Sequence, residues 1–230
     1  MLYQTWSVGT FVALTCAGVC CAVEIPLANP GFETPALLDG HNGGFLVTPG
    51  WGNSGGVGYG AWIVNPTTTQ FSGEAPEGEN AGVLVSYNSA VFGQTLSETY
   101  VEGETYTLTA LVGDPDDYSP SSFVIGLYAN TILRSTGGSG PVPADDTFTR
   151  VTATVVATAA MDGLPIQIQL RAGSGPLIDP DQVGGGTSIY FDDVHLYKGE
   201  VPEPSTLVLA GTLAGLFTSR RRMHGSKSVG

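Results

Sequence analysis

The sequence predicts an all-β domain, an antiparallel β-sandwich of the jelly-roll kind. Three observations lead there. Several segments alternate apolar and polar residues with a period of two, the mark of strands with one solvated face. Glycine and proline make up 48 of the 230 residues, a density that opposes a helical bundle because each Gly costs a helix about 1 kcal/mol and each Pro about 3. No stretch of the central region repeats with a helical period.

The alternating runs can be taken in order. In 104–112, Tyr106, Leu108, Ala110 and Val112 share one face, and Thr105, Thr107 and Thr109 the other. In 123–128, Phe123, Ile125 and Leu127 alternate with Val124, Gly126 and Tyr128. In 150–156, Val151, Ala153 and Val155 alternate with Arg150, Thr152 and Thr154; in 165–171, Ile166, Ile168 and Leu170 alternate with Gln167, Gln169 and Arg171. Turn-rich clusters at 52–58, 114–122, 135–146 and 172–186 separate the runs. Nine or ten short strands with long loops suit a sandwich.

Charge divides the chain. The eight basic residues all lie from Arg134 onward, and the 21 acidic residues lie between Glu24 and Glu203. Residues 23–203 therefore carry a net charge of -17, and the last 27 residues carry four bases and no acid. Such a body repels phosphate backbones, which excludes a nucleic-acid binder. Some of its carboxylates are candidates to converge on a cation such as Ca²⁺.

Residues 8–22 are apolar and uncharged. They are too few to span a bilayer, which takes about 20, and match the apolar region of a secretory signal cleaved after Ala22. The segment 1–7 lacks the usual Lys or Arg. All three cysteines, Cys16, Cys20 and Cys21, fall inside the signal, so cleavage would leave a body with no thiol, disulfide or Cys-ligated metal. At the other end, Pro202, Glu203 and Pro204 precede an apolar run ending at Phe217 and then Arg220, Arg221 and Arg222. The prolines present an extended strip, residues 205–217 are expected to form a short apolar helix, and the arginines favour the cytoplasmic face.

That C-terminal order resembles the PEP-CTERM sorting signal of exosortase-bearing Gram-negative bacteria. The resemblance implies export through the Sec translocon, transient anchoring in the inner membrane, and cutting near the Pro-Glu-Pro by an exosortase, with the body ending at the cell surface or outside. The expected organisation is a signal at 1–22, a sandwich at 23–200, the sorting signal at 201–223 and a tail at 224–230.

Within the body, Asn29-Pro30-Gly31-Phe32-Glu33 opens and Phe191-Asp192-Asp193-Val194-His195-Leu196 closes the domain, with Pro49-Gly50-Trp51, Ala75-Pro76-Glu77-Gly78-Glu79-Asn80-Ala81 and Gly103-Glu104-Thr105-Tyr106 between them. This order is similar to carbohydrate-binding modules with a galactose-binding-like jelly roll, and to secreted PEP-CTERM proteins related to the calcium-dependent Stig cyclases of hapalindole biosynthesis. The resemblance implies a structural Ca²⁺ held by Glu33 and the Asp192-Asp193 pair. Simple alternation after an inward Phe191 aims Asp193 inward; a bulge would aim Asp192 there instead. A second acidic cluster, Asp114, Asp116 and Asp117, lacks the EF-hand spacing and reads first as an exposed turn.

Three functions follow as expectations. One is a non-catalytic module binding glycan or exopolysaccharide, with Trp51, Trp62 and Tyr118 as stacking candidates; core packing is the competing role of the two tryptophans. A second is a Stig-cyclase-like terpenoid cyclase, its acid at the Asp192-Asp193 end. A third is a purely structural envelope or biofilm protein. A hydrolase motif of the H-E-x-x-H kind is missing from the sequence.

Overall fold

The inward stripe of residues 106–112 is the spine of the structure. A computed structural model of the protein describes residues 22–43, 48–54, 60–68, 70–71, 74–85, 91–115, 122–137, 143–172 and 188–200. Among them are eleven strands, β1 Val23–Ile25, β2 Gly52–Ser54, β3 Ala61–Val64, β4 Ala81–Val85, β5 Val91–Thr99, β6 Thr105–Asp114, β7 Phe123–Ala129, β8 Ile132–Gly137, β9 Thr147–Val156, β10 Pro165–Ala172 and β11 Ser188–Lys198, and no helix. The expected targeting helices, with the sorting residues Pro202 to Arg222, lie outside the described residues. Among the described residues no helix is long and apolar enough to cross a membrane. The turn clusters at 52–58 and 135–146 each begin with strand, since β2 and the end of β8 occupy their first residues.

The strands form two antiparallel sheets. One has the order β3-β4-β11-β6-β9, with β1 also paired to β11; the other has the order β2-β5-β10-β7-β8. Tyr106, Leu108, Ala110 and Val112 of β6 and Ile166, Ile168 and Leu170 of β10 are fully buried in one core. A smaller apolar cluster, Val64, Phe71, Ala81, Val83 and Tyr190, is joined by Trp62 and Phe148.

β11 sets the arrangement of everything near it. β6 occupies one of its edges from Tyr190 to Lys198. Its other edge is shared: β4 pairs with Ser188 to Phe191, and β1 pairs with Leu196 to Lys198. Residues 192–195 fall in the interval between those two partners. On the β6 side the register slips in the same place, where Asp192 faces Leu111 and His195 faces Thr109. One extra residue is accommodated, and Asp193 carries it at φ 47°.

The Asn29-to-Glu33 turn plugs the interval. The Asn29 side chain clamps the turn, accepting from Thr34 N–H at 2.9 Å and donating to Thr34 O at 2.9 Å. Val194 N–H donates to Pro30 O at 3.2 Å. Phe32, at φ 60°, drives its ring into the core, stacked on Trp51 at 5.3 Å and tilted against Phe92 at 5.0 Å. Trp51 Nε1–H donates to Asn29 O at 2.9 Å, so its one polar atom is satisfied where its ring is buried. The ring edge of Phe32 lies so close over Gly82 of β4 that a Cβ there would stand 2.5 Å from it. We expect Trp51→Ala to cost about 3–5 kcal/mol of stability, because it empties a large site in the core; denaturant unfolding of the variant measures the loss.

Candidate functional site

Asp192 sits at the start of the β11 interval with no exposed surface. The bulge turns it inward and Asp193 out, where strict alternation would have done the reverse. Each Asp192 oxygen accepts a backbone hydrogen: Oδ2 from Glu77 N–H at 2.8 Å, and Oδ1 from Asp193 N–H at 2.7 Å. Burial nevertheless pushes its pKa up to about 8, against those two bonds and with help from the charges of Glu77 and Asp193.

Glu33 and Glu77 complete the cluster. Glu33 Oε1 accepts Glu79 N–H at 3.0 Å and Asn80 N–H at 2.9 Å, and so organises the 76–80 turn. Gly78, at φ 64°, is required there twice over: its backbone is left-handed and a Cβ would lie 2.4 Å from the Glu33 carboxylate. Glu77 folds over Gly31, and its pKa is raised by burial and then by Asp193 and Glu33. Asn80 donates through Nδ2 to Phe32 O and Pro35 O, while its buried Oδ1 accepts no hydrogen bond.

Asp193 belongs to a different network. It pairs with Arg150 of β9 and, through Oδ1, with His195 Nε2 at 2.6 Å; His195 Nδ1 meets Glu24 Oε1 of β1 at 2.5 Å. Burial alone would raise the Asp193 carboxyl, but Arg150 and His195 outweigh it and hold it below the usual carboxylate range. Burial opposes protonation of His195, and the bonds to Glu24 and Asp193 overcome it and raise its pKa above 6.5. One imidazole thus ties the first strand to the last.

The donor chemistry of Glu33, Glu77, Asp192 and Asn80 Oδ1 suits a hard cation: three carboxylates, two of them pushed toward protonation by burial and by neighbouring carboxylates, and an unused buried carbonyl oxygen. As the side chains stand, no three His, Cys, Asp or Glu residues among the described ones are grouped closely enough to hold a metal ion. Of the aromatic candidates, Trp51 is in the core, Trp62 is half-buried against the smaller cluster, and Tyr118 lies outside the described residues. Among the described residues two clefts stand out elsewhere. One of about 300 Å³ is lined by Asp39, Asn65, Thr67, Glu74 and Glu79. The other, of about 360 Å³, lies across β2, β5 and β10 and is lined by Gln94, Thr95, Thr131, Gln167 and Gln169.

Glu77, Arg150 and His195 were not among the expected site residues. Glu77 lies inside the Ala75-to-Ala81 motif that carried the family resemblance. Arg150 and Glu24 offered no signal, because only the register of β9 and β1 brings them to Asp193 and His195.

An antiparallel β-sandwich whose first described strand pairs with its last is the class this geometry defines. Residues 23–197 match the family described as HpiC1 cyclase, and the chain belongs to that family. Residues 200–222 match the PEP-CTERM protein-sorting motif, which directs exosortase-dependent sorting through a transient membrane anchor to the cell surface. The Stig cyclase Fisc of Fischerella sp. TAU, solved with (3Z)-3-(1-methyl-2-pyrrolidinylidene)-3H-indole, shares the fold with a TM-score of 0.66 at 22% identity, over 79% of this chain and 100% of that one. A cyclase of Fischerella sp. TAU solved with 4-(1H-indol-3-yl)butan-2-one gives 0.65 at 21% identity, with coverage of 79% and 100%. A family 16 carbohydrate-binding module gives 0.41 at 16% identity, covering 64% of this chain and 89% of that one. No curated protein matches the sequence significantly.

The raised His195 pKa sets a pH dependence. The stabilisation from its pairing is complete below about pH 6.5 and is lost as the pH rises through the shifted value. In unfolding titrations from pH 5.5 to 8.5, the gap between wild type and His195→Gln should close as the pH rises, from about 1 kcal/mol or less at the acid end because the network is partly solvated.

Proposed function

We propose that the protein is an exosortase-sorted surface protein whose body, residues 23–200 between an export signal at 1–22 and a sorting signal at 201–223, is a non-catalytic, calcium-stabilised module that binds glycan or matrix polymer. The observation that carries this reading is the state of Asp192. An acid that protonates a substrate must reach it, and this carboxyl is fully buried with both oxygens engaged by backbone N–H groups. Asp192 is placed to hold structure.

Calcium would be held by Glu33, Asp192 and Glu77, with Asn80 Oδ1 as a neutral ligand; Asp193 is held by Arg150 and His195. When bound, the ion would supply the positive charge that lets the buried Asp192 stay ionised beside Glu33 and Glu77. The chain supplies the rest, because the same residues fix the 76–80 turn and the Asn29-to-Glu33 turn against β11. The cleft across β5 and β10 is the glycan-facing candidate. Gln94 is buried with its amide bound to Ala28, and Gln167 Oε1 accepts Thr131 N–H; Gln169 would face sugar hydroxyls, with Gly52 and Gly93 leaving the backbone accessible.

The sign of the Asp192 shift makes the calcium test specific. A carboxyl raised to about 8 stabilises the fold when protonated, and that stability is lost as the pH climbs from about 4 through 8. Calcium should raise the melting midpoint by about 5–10 °C at about 100-fold excess over its Kd. The rise should be larger at pH 8.5 than at pH 5, and an unchanged midpoint with chelator at pH 8.5 removes calcium from the account. For the glycan, Gln169→Ala should weaken the strongest array signal about tenfold while leaving the melting midpoint in place.

A second reading, a cyclase, is favoured by the family match over 23–197 and by Asp192 being held as a neutral acid near pH 7. Calorimetry with 4-(1H-indol-3-yl)butan-2-one, the ligand of the Fischerella structure, separates the two. The module reading expects no saturable heat; saturable binding abolished by Asp192→Asn makes the cyclase the correct one.

A further inference from the structure

The core stripe of β6 ends on a charge. Tyr106, Leu108, Ala110 and Val112 point inward and are fully buried, and the next residue in the stripe is Asp114, equally without exposed surface. Neither Asp114 oxygen accepts a hydrogen bond from an N–H or hydroxyl group among the described residues; the side chain in hydrogen-bonding reach is the Asp145 carboxyl. Among the described residues no lysine or arginine forms an ion pair with it; those that do pair bind Asp193 and Glu104. A carboxylate so placed is strongly disfavoured unless something positive meets it.

The chain brings a second acid to the same corner. Asp114 O accepts Asp146 N–H at 2.9 Å, and Thr147, which faces Asp114 across the β6–β9 ladder, donates through N–H to Ala144 O at 3.1 Å. Between those anchors stands the exposed Asp145, close enough that its carboxyl, after burial itself, helps push the Asp114 pKa up to about 7. Two carboxyls face each other within hydrogen-bonding reach, one sealed in the core with no N–H or hydroxyl donor and one open to solvent.

We propose that Asp114 and Asp145 form a second cation site, for a hard divalent ion of the Ca²⁺ kind, at the corner where β6 meets β9. No N–H or hydroxyl donor competes for the Asp114 oxygens, an ion would take the place of the proton between the two carboxyls, Asp145 gives it an entry from solvent, and peptide oxygens and water complete the flexible coordination that Ca²⁺ accepts. The site is distinct from the Glu33–Asp192 cluster: Asp192 faces Leu111, and Asp114 lies three residues further along the ladder, at the end of the sandwich. It does not depend on the first cluster binding calcium.

Equilibrium dialysis of the full chain against ⁴⁵Ca²⁺ at pH 8 tests this by counting ions. Asp145→Asn changes an exposed turn residue and leaves the core intact; it should bind one Ca²⁺ fewer per chain than wild type, and Glu33→Gln should keep that ion. If the Glu33–Asp192 cluster binds none, the wild-type count is one and Asp145→Asn takes it to zero, so the two sites fail separately. Asp114→Asn, where it folds, should lose the same ion. The proposal is overturned if Asp145→Asn and Asp114→Asn retain the wild-type count, or if wild type binds no calcium. It is equally overturned if Asp114→Asn melts higher than wild type both with calcium and with chelator, the result expected when the two carboxyls only share a proton.

Discussion

The structure near the functional site depends on one constraint: β11 must change partners partway along an edge. β4 leaves it at Phe191 and β1 joins it at Leu196, so four residues of a central strand lose the neighbour that would satisfy their backbone. Buried peptide groups cannot go unpaired without cost. The chain answers with two turns in place of a strand. Pro30 O receives Val194 N–H, and the Asp192 carboxylate receives Glu77 N–H. The bulge at Asp193, the left-handed Phe32 and the close approach at Gly82 all follow from seating those turns in a gap one strand wide.

The same solution concentrates charge. Side-chain carboxylates take over hydrogen bonds that a strand would have made with carbonyls, and each brings a negative charge with it. Two adjacent aspartates meet that consequence in opposite ways. Asp193 is compensated by Arg150 and His195, at a half-buried position where long side chains from β9 and β11 can reach. Asp192 lies deeper and, among the described residues, is met by backbone N–H groups and no basic side chain. With four basic residues in the whole 23–203 segment, the body has few cations of its own to deploy.

Much of this was legible in the chain. The alternating runs located β6, β7, β9 and β10 to within three residues, because half-buried strands write their faces into the sequence at period two. β2 and the tail of β8 were read as turns: Gly52-Asn53-Ser54 and Ser135-Thr136-Gly137 have turn composition and become strands only through pairing with β5 and β7. Within the site, Glu33 and Asp192 stood in recognisable motifs, and the alternatives for the aspartate pair turned on a bulge that alternation cannot foresee. Glu24, Glu77, Arg150 and His195 come from four separate parts of the chain. Their meeting is a property of sheet order, which local pattern does not carry. Asp114 could be read only in part, since its neighbours Pro115, Asp116 and Asp117 give it the composition of a loop while its register makes it the last residue of the core.

The pairing of Val23 with Lys198 has a mechanical corollary. Both ends of the sandwich leave the same end of one short antiparallel ladder. A pull that separates them loads the β1–β11 hydrogen bonds one after another, in a peeling geometry, and not all together in shear. The load falls first on the Val23–Lys198 pair, then on Glu24 and Ile25, and it then arrives at the carboxylate-bound turns beside Asp192. For a protein sorted to a surface, the resistance of the body to unravelling would be set by the buried Asp192 and the turn it holds, with the length of strand pairing beyond it contributing little.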